Sequence, residues 1–212
     1  MSNPAVFEIN EVVVRLGDSK TIGPLNLQVA EGEKVVIRGK SGSGKTTMLR
    51  LLLGFLQPNS GEARFRGEKL EAPIAWKLRK ELAYVNQAPD SDSATVEDAL
   101  LRLCPSVRLP DQNQQLLEAL SAFDLPESSL VQTLADLSGG EKHRVALAAA
   151  TLLDRQIFLL DEPTAALDEA NKERVARYFL RDRPDWTVVV ISHDEVWSQA
   201  DFATLIELNG SA

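Results

Sequence analysis

Two short segments of this sequence combine glycines with residues that bind phosphate, and the first lies at residues 39–47. Its sequence, Gly-Lys-Ser-Gly-Ser-Gly-Lys-Thr-Thr, matches the pattern G-x-x-x-x-G-K-[ST], with a β-branched run before it and a helical run after it. In such a P-loop, backbone N–H groups surround the β-phosphate, Lys45 adds positive charge at the β- and γ-phosphates, and the Thr46 hydroxyl can bind Mg²⁺. The residues predicted to bind the nucleotide here are Gly39, Lys40, Ser41, Gly42, Ser43, Gly44, Lys45, Thr46 and Thr47.

The second segment, Ser138-Gly139-Gly140-Glu141, precedes an apolar helical run. The spacing of Ser138 and Glu141 predicts a capping box, in which each side chain accepts a hydrogen bond from the backbone N–H of the other. The two glycines leave the other free N–H groups of the helix start open to an anion, at the positive end of the helix dipole. By itself this could be an ordinary capping box. Since the chain has a single P-loop lysine, the simplest interpretation is that both helix starts bind one triphosphate.

Two apolar, strand-like runs end in side chains suited to phosphate chemistry. Residues 157–160 lead into Asp161 and Glu162, and residues 187–192 lead into His193. Ligands of open α/β sheets bind at the carboxyl ends of the strands. Asp161 is placed to hold Mg²⁺ through water, Glu162 to orient or deprotonate the attacking water, and His193 to contact the γ-phosphate. The alternative interpretations are that Asp161 and Glu162 form an acidic surface turn and that His193 is structural.

The elements that must position these residues can be read from the hydrophobic pattern. Residues 5–67 alternate short β-like runs with turns, and in that region the strand before the P-loop alone leads into a helix. Residues 95–134 are helical in pattern. The sequence therefore predicts one α/β domain over 1–212, with a core at about 5–87 and 138–212 and a helical subdomain at 88–137. A rigid tilt of that subdomain would report whether the γ-phosphate is present.

Six segments of the chain, in order, resemble the motifs of the ATP-binding cassette (ABC) family, the nucleotide-hydrolysing subunits of ABC transporters. The resemblance covers essentially the whole chain. The matching segments are residues 39–47 for Walker A, 84–87 for the Q-loop, 137–141 for the signature, 157–162 for Walker B, 166–168 for the D-loop and His193 for the switch histidine.

The resemblance implies a P-loop NTPase core with a parallel sheet, an N-terminal antiparallel β subdomain and an inserted α-helical subdomain. It implies an ATPase that uses ATP and Mg²⁺, with Gln87 sensing metal and water and Asp168 coupling the sites of two cassettes. Each ATP would lie between the P-loop of one cassette and Ser138, Gly139 and Gly140 of the other. Dimer closure would drive a separate integral membrane permease, which places the chain at the cytoplasmic face of the membrane. Among cassettes, the chain looks most similar to small bacterial exporters of the putative iron-efflux type.

Two positions depart from the family pattern. Glu141 stands where glutamine is usual, and the capping interpretation accepts either residue. The family usually stacks an aromatic ring on adenine from the loop after the first strand, but residues 12–17 contain none. Arg15 could place its guanidinium over the base, or Leu16 could make an apolar contact. Base discrimination is therefore expected to be weak.

Composition excludes several other classes of function. The net charge of −8 and the lack of a basic run argue against nucleic-acid binding. The longest apolar stretch, residues 145–153, is shorter than the roughly eighteen residues that cross a bilayer, and residues 1–10 do not resemble a leader. Cys104 is the single cysteine and is predicted to be an apolar filler in a reducing compartment. The histidines lack metal-ligand spacing, so Mg²⁺ with the nucleotide is the one metal expected.

Two other functions share these motifs. One is a soluble cassette of iron–sulfur cluster assembly, whose signature can also read Ser-Gly-Gly-Glu-Lys; it would co-purify with scaffold proteins. The other is a translation-factor or DNA-repair cassette, which would call for tandem cassettes, a long coiled coil or a basic face.

Overall fold

The computed structural model describes residues 4–17, 20–86, 93–104, 112–198 and 203–208. Two sheets organise these residues. The strands, numbered in chain order, are β1 (Ala5–Leu16), β2 (Lys20–Ala30), β3 (Lys34–Arg38), β4 (Ser60–Phe65), β5 (Glu68–Lys69), β6 (Leu82–Val85), β7 (Ile157–Asp161), β8 (Thr187–Ile191) and β9 (Ala203–Glu207). The helices are α1 (Lys45–Leu52), α2 (Ala72–Glu81), α3 (Val96–Leu103), α4 (Gln112–Ala122), α5 (Gly139–Leu152) and α6 (Glu169–Leu180).

The parallel sheet has the strand order β6-β7-β8-β3-β9. Its inner strands β7, β8 and β3 consist almost entirely of buried β-branched, leucine and phenylalanine residues, as expected for strands covered on both faces. Successive side chains point to opposite faces. Val188 and Val190 pack with the core cluster that includes residues of α5 and α6, and Val189 and Ile191 pack with the cluster that includes residues of α1 and β1.

The antiparallel sheet has the strand order β2-β1-β4-β5. In the sequence, residues 6–9 and 12–16 are two of the separate β-like runs within 5–67, but in the structure they form the one strand β1. The register shifts between Ile9 and Val12, and Glu11 has a φ of 49°. This bulge adds one residue to β1, so Asn10 and Glu11 are both exposed while Val12 and Val14 still point into the core. The predicted parallel and antiparallel sheets are both present.

The predicted helical stretch at residues 95–134 contains α3 and α4, followed by single 3₁₀ turns at Glu127–Val131 and Leu134–Asp136. The Thr95 hydroxyl caps α3 by accepting a hydrogen bond from the Asp98 N–H at 3.2 Å.

Cys104 is buried and its Sγ lies 3.2 Å from the Ala149 carbonyl oxygen, and burial raises the pKa of the thiol to about 11. This agrees with the predicted filler. In the described ranges, no helix combines the length and apolar character needed to span a bilayer.

A buried lysine ties β3 to the turn that precedes β8. Lys34 is 4% exposed, and its ammonium group donates to the carbonyl oxygens of Arg183 at 2.9 Å and Pro184 at 3.3 Å, and to that of Trp186. Burial lowers the pKa of Lys34 to about 8, and the negative charge of Asp185 opposes this shift. The ammonium group is therefore protonated at pH 7. The three carbonyl oxygens therefore share one charged donor.

Lys34→Met is expected to lower the free energy of unfolding by about 2 kcal/mol, because it leaves buried carbonyl oxygens without their donor. Urea unfolding measures this value. The control is Lys77→Met, which removes an exposed lysine that pairs with Glu68 at 2.7 Å and should cost no more than about 1 kcal/mol. Equal losses in the two variants would contradict a structural role for Lys34.

Candidate active site

Three adjacent strands of the parallel sheet end at one edge, and each delivers a predicted site segment there. Ile37 of β3 and Asp161 of β7 both pair with Ile191 of β8. The P-loop follows β3, Glu162 follows β7, and His193 lies two residues beyond the end of β8. The strand order, with β8 between β7 and β3, therefore brings the predicted phosphate loop, carboxylates and histidine to one place.

The P-loop begins α1 through a glycine in left-handed conformation. Gly44 has a φ of 104°, and a Cβ at this position would lie 2.6 Å from Ile22 Cγ2, so a larger residue fits neither the backbone nor the space. The Lys45 ammonium donates to the carbonyl oxygens of Gly39 at 2.5 Å and Lys40 at 3.1 Å. Thr46 is exposed. The lysine is held over its own loop, where it can exchange these carbonyl partners for phosphate oxygens.

Asp161, at the end of β7, is close enough to this lysine and to Glu162 for both charges to act on its carboxylate. The pKa of Asp161 is raised, chiefly by burial and then by the charge of Glu162, while Lys45 acts in the opposite direction. The half-buried Asp161 carboxylate and the exposed Thr46 hydroxyl carry oxygen donors of the kind that Mg²⁺ prefers. Among the residues described, three His, Cys, Asp or Glu side chains never come together as a metal site, so such an ion would need further ligands from nucleotide and water.

Glu162 is held in a strained conformation next to His193. Its φ is 47°, a left-handed value that costs energy in a residue with a side chain, and its backbone N–H donates to the Ile191 carbonyl oxygen at 2.7 Å. The Glu162 carboxylate accepts the backbone N–H of His193 at 3.3 Å and lies 3.5 Å from His193 Nε2. The side chain of Glu162 is 15% exposed and that of His193 is 58% exposed. The His193 ring is therefore open to a ligand, whereas the Glu162 carboxylate is largely covered.

The predicted capping box at the start of α5 is confirmed. The Glu141 N–H donates to Ser138 Oγ at 3.3 Å, and the Ser138 N–H donates to Glu141 Oε2 at 2.8 Å. Ser138 and Gly139 are exposed, and a Cβ at Gly139 would meet nothing within 4 Å in the described structure. At Gly140 a Cβ would lie 3.0 Å from the Ala166 carbonyl oxygen. This helix start is therefore open to a ligand and packs beside residue 166.

Glu141→Gln should leave the stability at pH 7 within about 0.5 kcal/mol, because the amide oxygen can also accept the Ser138 N–H. The hydrogen bonds from Ser138 hold the pKa of Glu141 below its ordinary value of 4.5. The carboxylate therefore contributes stability that is complete above the unfolded pKa and is lost as pH falls through the folded pKa. Urea unfolding between pH 7 and 3 should show a smaller acid loss in the variant. An identical pH dependence would contradict the assignment.

Asp168, which is predicted to couple two cassettes, forms a helix cap within its own chain. Both carboxylate oxygens of Asp168 accept hydrogen bonds from Asn171, one from its backbone N–H and one from Nδ2, each at 2.9 Å. This cap of α6 was not predicted, although the Asp-x-x-Asn spacing indicates it. Gln87, which follows Asn86 in the sequence, lies outside the described residues.

The β1–β2 hairpin brings Lys20 beside the P-loop. In the same hairpin Arg15 is exposed and Leu16 is half-buried, and an adenine contact by either residue stays a prediction. Leu16 pairs with Lys20 across the hairpin, and Lys20 Nζ lies 3.9 Å from where a Cβ on Gly42 would be. Sequence reasoning missed Lys20, since no motif includes it and only the strand register brings it to the P-loop.

Comparison with known proteins agrees with this geometry. The family model for the ABC transporter matches residues 22–165. The probable iron export ATP-binding protein FetA of Escherichia coli K12 is 32% identical over 195 residues, which cover 91% of this chain and 87% of FetA. The energy-coupling factor transporter ATP-binding protein EcfA1 of Oenococcus oeni is 33% identical over 184 residues, 82% of this chain and 65% of EcfA1.

A solved structure matches the fold along nearly the whole chain. It is the dimeric, post-hydrolysis state of the ATP-binding cassette MJ0796 bound to ADP and Pi, with a TM-score of 0.75, 27% sequence identity and 96% of each chain covered. The P-loop, the paired carboxylates, the histidine and the capped second helix start are thus found in a chain that matches both the sequence model and the structures of one family. The chain belongs to the ABC transporter family, in which it is an ATP-hydrolysing cassette.

Proposed function

We propose that this chain binds MgATP, closes on a second cassette, hydrolyses the γ-phosphate and thereby drives a separate membrane protein. The observation that carries the proposal is the placement of the two phosphate-binding helix starts. The P-loop packs against Ile22 of β2 and the carbonyl oxygen of Leu208, whereas the start of α5 packs beside Ala166 and is exposed. The two starts are thus built into different parts of the chain, and each leaves N–H groups open for a ligand.

Within one cassette, the P-loop amides and Lys45 offset the phosphate charge. The Thr46 hydroxyl and the Asp161 carboxylate would hold Mg²⁺, and Gln87 would sense metal and water. Bound with the nucleotide, the ion supplies positive charge to the β- and γ-phosphate oxygens. The fit rests on these oxygen donors and on the Asp161 carboxylate, on which the charge of Lys45 acts.

Glu162 orients the attacking water and accepts its proton as the water attacks the γ-phosphate in line. His193 steadies the γ-phosphate. The 3.5 Å separation between His193 Nε2 and Glu162 Oε1 supports this division, because groups so close together can act on one phosphate. The strained backbone at Glu162 is of the kind that persists where surrounding structure fixes a functional side chain.

Ser138, Gly139 and Gly140 of a second copy complete the site in trans, with homodimer formation as the expected arrangement. The fold match to a cassette described as dimeric supports this step. Asp168, which caps α6, would lie near the interface because Ala166, two residues earlier, contacts Gly140. Neither cassette would complete the reaction centre unaided.

The membrane subunit has a candidate docking site in a groove of about 710 Å³ between α3, α5 and the end of β6. Most of its lining is apolar, and Leu103 in its wall is 62% exposed. The groove includes Asn86, so a helix seated there would contact the end of the segment that follows β6. The groove also touches residues of the proposed helical subdomain at 88–137, whose tilt would carry the signal. Docking would place the chain at the cytoplasmic face of the membrane.

The relatives support a transporter function: one is named for iron export and the other for an energy-coupling factor transporter. Neither name favours the iron–sulfur assembly alternative. We place the chain among transporter ATPases and leave its cargo unassigned, because phosphate chemistry does not encode what the partner carries.

Affinity purification of the native chain in mild detergent tests this function. We expect an integral membrane protein to co-purify, and we expect Leu103→Asp to abolish its recovery because the charge interrupts the apolar groove. The matched control is Val131→Asp, since Val131 is 75% exposed and lies outside the groove lining. Recovery of a soluble scaffold protein instead of a membrane subunit would overturn the transporter assignment.

A further inference from the structure

Asp194, the residue after the proposed γ-phosphate contact, is fixed by hydrogen bonds from several elements. Its carboxylate accepts from Lys172 Nζ at 2.8 Å and from Thr164 Oγ1 at 2.5 Å. Its N–H donates to Ser192 Oγ at 3.1 Å, and Arg38 Nη2 donates to its carbonyl oxygen at 2.7 Å. Burial alone would raise the pKa of Asp194, but the hydrogen bonds from Lys172 and Thr164 keep it below its ordinary value.

Thr164 is the buried centre of this network. It is 0% exposed, and its hydroxyl also accepts a hydrogen bond from Trp197 Nε1 at 3.0 Å. Thr164 lies two residues after Glu162, and Asp194 lies one residue after His193. The bond between Thr164 and Asp194 therefore joins the segments that carry the two groups proposed to act at the γ-phosphate.

Lys172 connects the same network to α6. The side chain of Lys172 is 21% exposed, and it also lies 3.8 Å from Glu169 at the start of the helix. The α6 N-terminus is capped by Asp168, in the segment that contacts the start of α5 through Ala166 and Gly140. A shift of α6 would move Lys172 and, with it, Asp194.

Among the described residues, the imidazole ring of His193 is only weakly fixed by side-chain contacts. Its ring is 58% exposed and lies 3.5 Å from the Glu162 carboxylate, which is long for a hydrogen bond. The position of the ring is therefore set largely by its backbone, and the backbone is anchored one residue later. We propose that Lys172 and Thr164, acting through Asp194, are positioning residues that hold His193 at the γ-phosphate and tie its position to α6. This inference rests on the proposed role of His193.

The first test does not depend on activity. The chain has two histidines, and His143 is 1% exposed in α5, so a ¹H–¹³C spectrum of the imidazole rings gives one signal from the site and one internal reference. Lys172→Met and Thr164→Val should shift or broaden the His193 signal and leave the His143 signal unchanged. Lys172→Arg and Thr164→Ser keep the hydrogen bonds and should restore the His193 signal. A His193 signal that does not change in either of the first two variants would overturn the inference.

The second test is kinetic. Lys172→Met should lower kcat for MgATP by about 10- to 100-fold with KM changed less than about twofold, because displacement of a reacting group costs turnover more than binding. Lys172→Arg should recover most of that loss. Lys77→Met, which breaks a 2.7 Å surface pair with Glu68 by the same substitution, should leave kcat unchanged. Equal effects of Lys172→Met and Lys77→Met would overturn the proposal.

A double-mutant comparison separates this inference from the function on which it rests. If Lys172 acts through His193, adding Lys172→Met to His193→Ala should lower kcat by less than about twofold more. If Lys172→Met lowers kcat as much in the His193→Ala background as it does alone, the inference is overturned while the role of His193 is intact. Undiminished turnover in His193→Ala would instead refute the proposed role of His193, and the imidazole spectra would still decide whether Lys172 positions the ring.

Discussion

Glu162→Gln is expected to lower MgATP turnover by about 10²- to 10⁴-fold, because the amide can neither accept the proton of the attacking water nor orient it as a carboxylate does. Nucleotide binding should be retained, since the P-loop contacts are untouched and one negative charge near the phosphates is removed. The unhydrolysed ATP should then hold two cassettes together. Light scattering with and without MgATP, together with the amount of bound ATP, measures the closed dimer.

Glu162→Asp separates charge from position in this prediction. It keeps the negative charge but moves the carboxylate back by one methylene, so turnover should fall while the gain in dimer stability should be smaller. Glu118→Gln is the control for a general loss of charge, because Glu118 accepts a hydrogen bond from Gln114 on the exposed side of α4, away from the site residues described above. Undiminished turnover in Glu162→Gln would remove Glu162 from the mechanism.

Mixing Lys45→Ala protomers with Ser138→Arg protomers is expected to restore hydrolysis that neither variant has alone. In a symmetric head-to-tail dimer, the mixed species has one site with both defects and one site with an intact P-loop facing an intact signature. Half of randomly mixed dimers would be of this kind, so recovery of up to about a quarter of the wild-type rate is expected if the sites act independently. If each chain closed on its own nucleotide, every site would carry a defect.

The control for this experiment is the double variant Lys45→Ala, Ser138→Arg mixed with wild-type chain. Each site of that mixed dimer contains one defect, so mixing should lower the wild-type rate and give no recovery. Turnover is measured as released phosphate over a range of mixing ratios. A flat, inactive profile for the two single variants would count against completion of the site in trans.

Some features of the site follow from residues close together in the sequence, and these were predictable. The P-loop pattern, the capping box of Ser138 and Glu141 and the buried strand before Asp161 depend on neighbours within a few residues. The bulge at Glu11 was not predicted, because two strand-like runs separated by polar residues look the same whether or not one strand continues through them. The boundaries of the helical subdomain and the role of Gln87 stay predictions.

The sequence by itself determined which groups are available for phosphate chemistry and on which kind of element each one lies, since helix starts and buried strands are encoded locally. The tertiary structure alone decided that β8 lies between β3 and β7, which brings the P-loop, Glu162 and His193 to one edge. It also decided the left-handed conformation of Glu162 and the hydrogen bonds of Lys172 and Thr164 to Asp194. All three features depend on strand order and on packing between segments far apart in the chain. Such contacts form only when the whole domain folds, so local sequence patterns do not encode them.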